Sequence, residues 1–173
     1  FIMWLLASLA AAANPPKVVI LGGTGRIGTA VASHLLASTK PGSEISVVLA
    51  GRSAERGRAA VEEVLNECNP ASSVAFEPLD WRDSAALRSA IRGAAAVVHT
   101  AGPYADEQPD VLTASIAEKV PVYVDLSDPL EYLDAAKARG RQSRESETLA
   151  LCAAGAFPGL SNVLAMECVA RLG

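Results

Sequence analysis

A glycine-rich segment near the start of the chain has the residue types and spacing that hold phosphate groups. Residues 22–28 read GGTGRIG, which satisfies the pattern GxGxxG counted from Gly23. Because the segment follows a β-branched run and opens a helical pattern, the helix N-terminus would face a pyrophosphate. Gly23 would permit the tight turn, Gly25 the approach of backbone amides and Gly28 the close packing of helix on strand. A turn needed only for packing would explain one glycine, whereas a dinucleotide site explains all four. The cofactor contacts predicted in this segment are Gly23, Thr24, Gly25, Arg26 and Ile27.

The end of the second predicted strand indicates which nicotinamide cofactor binds. An NAD site usually carries Asp or Glu here, to bond the ribose 2′-hydroxyl. Residues 50–53 read AGRS, and the only acid between the glycine segment and this point is Glu44. Arg52 can bind a 2′-phosphate, Ser53 can add a hydroxyl, and Arg26 can close on the same phosphate. Each arginine alone would be read as a solvated surface charge, but together they predict NADP(H).

Four other titratable residues have both a chemical and a structural interpretation. Asp80 follows the third predicted strand, where it can lie near the adenine or cap the next helix, and both interpretations stay open. His99 titrates near neutrality and could act as an acid or base, but its place within a buried strand favours a packed side chain. Asp125 and Asp128 flank a strand end and a helix start, where turn and cap roles are common.

The sequence gives no pair or cluster to which catalysis or metal binding can be assigned. Tyr132 and Lys137 are five residues apart, so the YxxxK pair expected of short-chain dehydrogenases is missing. The cysteines show no CxxC or Cys/His spacing for a metal or a redox pair, and are predicted to be small buried residues in a reducing compartment. They are Cys68, Cys152 and Cys168. We therefore predict no metal site and name no catalytic residue.

A parallel sheet must position these residues, because short β-branched runs alternate with helical patterns along the chain. The predicted strands are 17–21, 45–50, 73–77, 95–100, 120–125 and 148–152. The predicted helices are 26–38, 54–67, 83–92, 107–118, 130–140 and a last one that begins after Ser161, whose hydroxyl can cap it, and runs to the chain end. This order predicts an α/β fold: a Rossmann-type, doubly wound parallel sheet with helices on both faces. Its ligand should lie outside the carboxyl ends of the strands.

Composition limits the class of protein and its partners. The chain has 173 residues, half of them apolar and a fifth charged, which is typical of one globular domain. Its net charge is -4 and its arginines are scattered, which argues against a nucleic-acid partner. We predict a reducing intracellular compartment, cytoplasm or organelle, and the sequence leaves a homodimer open.

Residues 1–16 form an apolar N-terminal segment. The first thirteen residues are uncharged, too short to span a bilayer and without the positive region of a signal peptide, so they give no firm indication of a membrane. Since the chain begins with Phe, we expect a truncation or the remnant of a targeting segment. The nucleotide-binding domain is predicted over 17–165, and 166–173 would begin a connection to a further domain.

Six segments resemble, in order and spacing, the NADP-binding domain of saccharopine dehydrogenase-like oxidoreductases. They read GGTGRIG, AGRS, LDWRD, TAGPY, PVYVDLSD and GAFPGLSN, the last at 155–162. The resemblance covers nearly all of 17–165 and implies that Ala101, Gly102 and Pro103, with Tyr104 beside them, lie near the nicotinamide ribose. It also implies that the chain continues towards a substrate-binding domain. Because this sequence stops at Gly173, we expect a fragment that lacks that domain.

Three functions follow from these observations. The first is the NADP(H)-binding domain of an oxidoreductase that transfers hydride to or from an unknown small-molecule substrate, an enzyme when complete. The second is a cofactor-binding or regulatory module without chemistry of its own, which needs the same glycine segment. The third is an extended short-chain dehydrogenase relative, against which the missing YxxxK counts.

Overall fold

The computed structural model describes residues 15–40, 42–66, 73–155 and 159–172. Residues 1–14 of the predicted apolar segment, and Cys68, lie outside the described residues. The strands are β1 (Lys17–Leu21), β2 (Ser46–Gly51), β3 (Ser73–Pro78), β4 (Ala96–His99), β5 (Val122–Asp125) and β6 (Leu149–Leu151). The helices are α1 (Arg26–Ala37), α2 (Ala54–Asn66), α3 (Ser84–Ile91), α4 (Asp110–Ala117), α5 (Leu130–Ala138), α6 (Gly140–Glu145) and α7 (Leu160–Leu172).

The described strands form one parallel sheet in the order β3-β2-β1-β4-β5-β6. This order confirms the predicted doubly wound Rossmann-type fold. The direction of winding reverses between β1 and β4. Leu21, the last residue of β1, lies opposite Ala50 of β2 and His99 of β4, so the three strands end at one edge of the sheet. Ligands of open α/β sheets bind at this kind of reversal, outside the carboxyl ends of the strands.

The central strands are buried on both faces. Along β1, Val18 and Ile20 belong to one apolar cluster, whereas Val19 and Leu21 belong to another on the opposite face. Helices α1 and α2 cover the first cluster, and α3 and α4 cover the second. Because successive side chains of a strand point to opposite faces, a strand covered on both sides must be apolar where it is buried, as β1 is over residues 18–21. The apolar packing on both faces of the sheet holds the strand ends in place.

Two helices differ from their predicted bounds for reasons of backbone chemistry. The helix predicted over 107–118 begins only at Asp110, since Pro109 forms its N-cap and disfavours helical geometry in the residue before it. The helix predicted over 130–140 ends at Ala138, and α6 begins at Gly140. Glycine is a weak helix former and is common where a helix ends, so the chain starts a new turn there.

The C-terminal helix also differs from expectation. It begins at Leu160, and the carbonyl oxygen of Gly159 accepts the amides of Asn162 and Val163, so the Ser161 hydroxyl is not its cap. None of the described α7 residues is buried, and its large apolar side chains are exposed: Leu160, Val163, Leu164, Met166, Val169 and Leu172. Cys168, on the same helix, is exposed and Cys152 is partly buried, which corrects the expectation of buried cysteines. The predicted boundary at residue 165 falls inside this helix.

No helix in the described parts of the chain is long and apolar enough to cross a membrane.

Candidate functional site

The carboxyl ends of β1, β2, β3 and β4 surround a cavity of about 430 Å³, which we call the strand-end cavity. Its lining comes from four places: the glycine segment, the end of β2 with the start of α2, the loop after β3, and the turn after β4. The lining residues are Leu21, Gly22, Thr24, Gly25, Ala50, Gly51, Arg52, Ser53, Arg56, Leu79, Trp81, Arg82, Thr100, Ala101 and Gly102. The described lining thus contains three arginines and neither Asp nor Glu. Such a cavity favours a polyanionic ligand.

The glycine segment is shaped by close backbone contacts. Gly22 adopts a φ of +76°, so it is the left-handed residue of the tight turn. The sequence had assigned the tight turn to Gly23 instead. A Cβ on Gly23 would lie 2.8 Å from the carbonyl oxygen of Ile20, and one on Gly28 would lie 2.6 Å from the Cα of Gly23. Gly23 is therefore required by packing against β1 and β2, and Gly28 by packing within the segment itself.

Gly25 is different, because it borders open space. It is the N-cap of α1 with a φ of −96°, and a Cβ there would meet only the carbonyl oxygen of Gly22, at 3.3 Å. Gly25 is exposed and lines the strand-end cavity. The first turn of α1 carries no acidic residue. The first amides of a helix have no acceptor within the helix, so this N-terminus can bind phosphate oxygens.

At the end of β2, Arg52 and Ser53 line the cavity, and Arg56 joins them from the first turn of α2. The backbone amide of Arg56 donates to the Ser53 hydroxyl oxygen at 3.3 Å. Because a hydroxyl can accept and donate at once, Ser53 keeps its proton for a ligand. Arg56 is not among the residues predicted from the sequence; its signal is an arginine four residues after Arg52, in the first turn of the helix that follows the strand end.

Arg26 lies apart from these residues. It is exposed and lines a neighbouring cavity of about 420 Å³ together with Thr24 and Glu63. The structure therefore does not bring Arg26 and Arg52 into one cavity. Ile27 is half exposed and, like Gly23, does not line the strand-end cavity.

The loop after β3 separates the two roles considered for Asp80. Asp83 caps α3, because its Oδ1 accepts the amides of Ala85 and Ala86, each at 3.0 Å. Asp80 instead accepts the amide of Arg82 at 3.1 Å within its own turn, which corrects the interpretation of Asp80 as the helix cap. Asp80 does not line the strand-end cavity, whereas the next two residues along the chain do.

Two hydrogen bonds of the Tyr104 hydroxyl stabilise the turn after β4. The buried hydroxyl donates to the His99 carbonyl oxygen at 2.6 Å and accepts the amide of Leu126 at 3.4 Å. Tyr104 thus connects the ends of β4 and β5. Ala101 and Gly102 line the strand-end cavity, while Pro103 is exposed and does not.

His99 is a packed histidine, as the sequence favours. Its ring lies 5.1 Å from that of Trp81 and 5.1 Å from that of Tyr104, both edge-on. Its Nδ1 is buried without a hydrogen-bond partner among the described residues. Burial lowers the pKa of His99 from 6.5 to about 4, against the opposing pull of Asp125 and Glu107. His99 is therefore neutral at pH 7 and poorly suited to acid–base catalysis.

Asp125 is fully buried and accepts hydrogen bonds from three residues. Tyr123 Oη donates to Oδ2 at 2.9 Å; the amide and the hydroxyl of Ser127 donate to Oδ1 at 3.1 and 2.6 Å. The amide of Ala153 also donates to Oδ1, at 3.0 Å. Asp125 therefore ties the end of β5 to the segment after β6, a role larger than the turn predicted for it. Asp128 is exposed and makes no cap to α5, whose N-cap is Pro129.

Burial keeps the titratable tyrosines and the cysteine around Asp125 protonated and uncharged at pH 7. Desolvation raises the pKa of Tyr104, Tyr123 and Tyr132 above the usual value for tyrosine, and raises that of Cys152 to about 12. Tyr132 Oη lies 3.2 Å from Tyr123 Oη, whereas Lys137 is exposed and binds Asp134. These two residues therefore do not form the tyrosine–lysine pair of short-chain dehydrogenases.

Comparison with known proteins gives one family match. Residues 18–154 match the family described as the saccharopine dehydrogenase NADP binding domain. No curated protein sequence matches the chain significantly.

Solved structures share the fold at low sequence identity. Pen from Bacillus thuringiensis is 22% identical with a TM-score of 0.60, over 80% of this chain and 51% of Pen. Vestitone reductase from alfalfa (Medicago sativa L.) is 17% identical with a TM-score of 0.55, over 79% of this chain and 55% of the reductase. Triphenylmethane reductase from Citrobacter sp., solved with NADP(H), is 16% identical with a TM-score of 0.54, over 79% of this chain and 48% of that protein. At these identities the likeness shows the fold, and the chain spans about half the length of each.

Proposed function

The chain belongs to the saccharopine dehydrogenase NADP-binding domain family, with NADP(H) as its cofactor, and from this premise we propose that it holds NADP(H) in the strand-end cavity for hydride transfer to or from a substrate bound outside the residues described. The observation that carries the proposal is the charge of the cavity. Arg52, Arg56 and Arg82 line it, without an acidic side chain among the described lining residues. Three other cavities among the described residues also contain arginines, and each of them contains an acid: Glu107 with Asp110 in one, Glu62 in another and Glu63 in the third.

The geometry fits each phosphate of the cofactor. The N-terminus of α1, with Gly25 as a cap that leaves room in front of it, suits the pyrophosphate. Arg52 and Arg56, with the hydroxyl of Ser53, suit the 2′-phosphate, since one guanidinium group can donate two parallel hydrogen bonds to phosphate oxygens. A carboxylate in this position would select NAD(H) instead. We therefore assign the 2′-phosphate to these three side chains.

The turn after β4 suits the nicotinamide ribose. Thr100, Ala101 and Gly102 line the cavity at the side away from the arginines of β2 and α2. Small residues let the sugar approach the backbone closely. Tyr104 fixes this turn against β4 and β5 through its two hydrogen bonds, so the wall is rigid. The proposal that Pro103 lies near the cofactor rests on the family resemblance alone.

The chemistry that NADP(H) supplies is hydride transfer, and the residues described here bind and orient it. Burial holds the pKa of His99 at about 4 and raises that of Tyr104. Neither side chain exchanges a proton readily at pH 7, although both lie beside the strand ends. We infer that the acid or base for the substrate comes from another part of the whole protein, which agrees with the uncovered apolar side chains of α7.

A titration of the purified chain with NADPH and NADH tests this function. We expect NADPH to bind with the lower Kd, and no NADPH absorbance to appear when NADP+ is added together with saccharopine, an amino acid that can donate hydride to the oxidised cofactor. Equal Kd values for the two cofactors at low salt would contradict the assigned 2′-phosphate site. Steady turnover would show that the described residues do suffice for catalysis.

A further inference from the structure

A cavity beside the proposed cofactor site is lined by two opposite charges that do not pair with each other. This neighbouring cavity, of about 420 Å³, has Arg26 from the start of α1 and Glu63 from the second half of α2 in its wall. Both residues are exposed. Within the described ranges, no ion pair or side-chain hydrogen bond joins either of them to another residue. Both charges are therefore available to a ligand.

The rest of the wall supplies oxygen atoms that can form hydrogen bonds. It contains three hydroxyl side chains and one small apolar residue: Thr24, Thr29, Ser33 and Ala30. Thr29 is buried, at 6% exposure, and its hydroxyl donates to the carbonyl oxygens of Gly25 and Arg26, each at 3.2 Å. Because its proton is used in this way, the Thr29 oxygen can only accept a hydrogen bond from a ligand.

Another cavity that carries both charges is built differently. Arg58 and Glu62 lie one turn apart on α2, and the side chains beside them are mostly apolar: Val61, Leu65 and Phe76. Residues four apart lie on one face of a helix, so both charges come from the same side. In the neighbouring cavity the charges come from two helices, so a ligand between them is held from both.

We propose that the neighbouring cavity binds a small zwitterion of the α-amino acid class, with its carboxylate on Arg26 and its ammonium group on Glu63. A guanidinium group can donate two parallel hydrogen bonds to a carboxylate, and an ammonium group donates to carboxylate and hydroxyl oxygens. A ligand with one charge would leave either Arg26 or Glu63 without a partner. The volume of about 420 Å³ lies within the range of small-molecule sites.

This site shares part of its wall with the strand-end cavity, because Thr24 and Gly25 line both. A zwitterion bound beside Thr24 and Gly25 restricts the loop that faces the proposed pyrophosphate site. NADPH then binds to a loop that is already ordered, which lowers its Kd. By linkage, NADPH lowers the Kd of the zwitterion by the same factor. The coupling rests on the proposed function, whereas the zwitterion site does not.

Three small probes separate a zwitterion site from a site for one charge. L-Alanine carries both charges, propionate only the carboxylate and ethylamine only the ammonium group. NMR titration of the full chain at low salt follows the amides of Thr24, Gly25 and Thr29. Exposed ion pairs are weak, so we expect L-alanine to bind with a millimolar Kd and the other two probes more weakly. Equal Kd values for propionate and L-alanine, or amides that do not respond to L-alanine, would overturn the proposal.

Variants of the two charged residues test the assignment of each charge. Arg26→Gln and Glu63→Gln should each raise the Kd for L-alanine about two- to fivefold. The matched controls Arg58→Gln and Glu62→Gln remove the same charges from the other cavity and should leave this Kd unchanged. The double variant Arg26→Glu/Glu63→Arg exchanges the charges, so L-alanine can bind in the reverse orientation and more tightly than to either single reversal. A folded double variant that binds no better than the single reversals would overturn the proposed contacts.

The coupling is measured by titrating NADPH with and without L-alanine well above its Kd. We expect L-alanine to lower the Kd for NADPH at least about twofold in the parent chain and to have no effect in Arg26→Gln. An unchanged Kd in the parent chain would overturn the coupling and leave the zwitterion site in place. A parent chain that binds L-alanine but not NADPH would overturn the proposed function and not this site.

Discussion

Thr100 donates two hydrogen bonds to a single acceptor, the carbonyl oxygen of Leu21, from its amide and from its hydroxyl, each at 2.8 Å. Leu21 ends β1 and Thr100 follows β4, the two strands between which the winding of the sheet reverses. Strands at such a reversal send their connections in opposite directions, which opens a crevice between them. The two bonds keep the strand ends together at the floor of that crevice, where the cofactor is proposed to bind.

Thr100→Val removes the hydroxyl bond and keeps the shape of the side chain. We expect the free energy of unfolding to fall by about 1 kcal/mol, the usual net value of one hydrogen bond. We also expect the Kd for NADPH to rise, because the wall of the cavity loosens. Urea denaturation and NADPH titration measure the two effects.

The control for this prediction is Thr39→Val. Thr39 donates from its hydroxyl to the Leu35 carbonyl oxygen at 2.9 Å and does not line the strand-end cavity. It should lose comparable stability with the Kd for NADPH unchanged. If the two variants bind NADPH equally well, the bond from Thr100 stabilises the fold without shaping the site.

Two glycines of the same loop should respond in opposite ways to alanine. A Cβ on Gly25 meets only the Gly22 oxygen, at 3.3 Å, so Gly25→Ala should fold nearly normally and lose NADPH affinity at least tenfold. A Cβ on Gly28 would overlap the backbone of Gly23, at 2.6 Å, so Gly28→Ala should lower the melting temperature. Thermal unfolding combined with titration separates the two. A Gly25→Ala protein with unchanged Kd for NADPH would remove the pyrophosphate assignment.

His99 predicts how stability depends on pH. Burial lowers its pKa from 6.5 to about 4, so between these values the unfolded chain takes up a proton that the folded chain refuses. Its contribution is complete above pH 6.5 and is lost as the pH falls towards 4. The lost contribution is about 3 kcal/mol.

Urea denaturation at several pH values between 4 and 7 checks this prediction. In His99→Phe we expect the decline in stability over this range to be smaller by the histidine contribution. His34, the other histidine of the chain, is exposed on α1, so His34→Gln serves as the control and should keep the decline of the parent chain. Identical pH profiles for the parent chain and His99→Phe would contradict the neutral, buried state assigned to His99.

Local patterns were enough to predict the sheet and the phosphate-binding loop. Strands alternate with helices within a residue or two of their predicted bounds for most elements, and GGTGRIG lies where a strand end meets a helix start. These features depend on spacing along a few residues. The contacts between distant loops do not: Arg82 meets Glu107 across 25 residues, and Asp125 meets Ala153 across 28. Such pairs depend on which strand ends are neighbours in the sheet, and no periodicity in the sequence indicates that order.

The choice between the two cofactors gives the sharpest prediction. Arg52 is assigned to the 2′-phosphate alone, so Arg52→Ala should weaken NADPH binding by on the order of 1.5–3 kcal/mol, about ten- to hundredfold, and leave NADH binding almost unchanged. Arg56→Ala should act in the same direction. The double variant should lose less NADPH affinity than the sum of the two single variants, because both arginines would hold one phosphate.

Arg26→Ala is the matched control: Arg26 lines the neighbouring cavity with Glu63, so its effect on the preference for NADPH should be smaller. Added salt should weaken NADPH binding more than NADH binding, since the arginines are exposed to solvent. Fluorescence titrations of all four variants with both cofactors measure these differences, and an Arg52→Ala protein that still prefers NADPH as strongly as the parent would place the 2′-phosphate elsewhere.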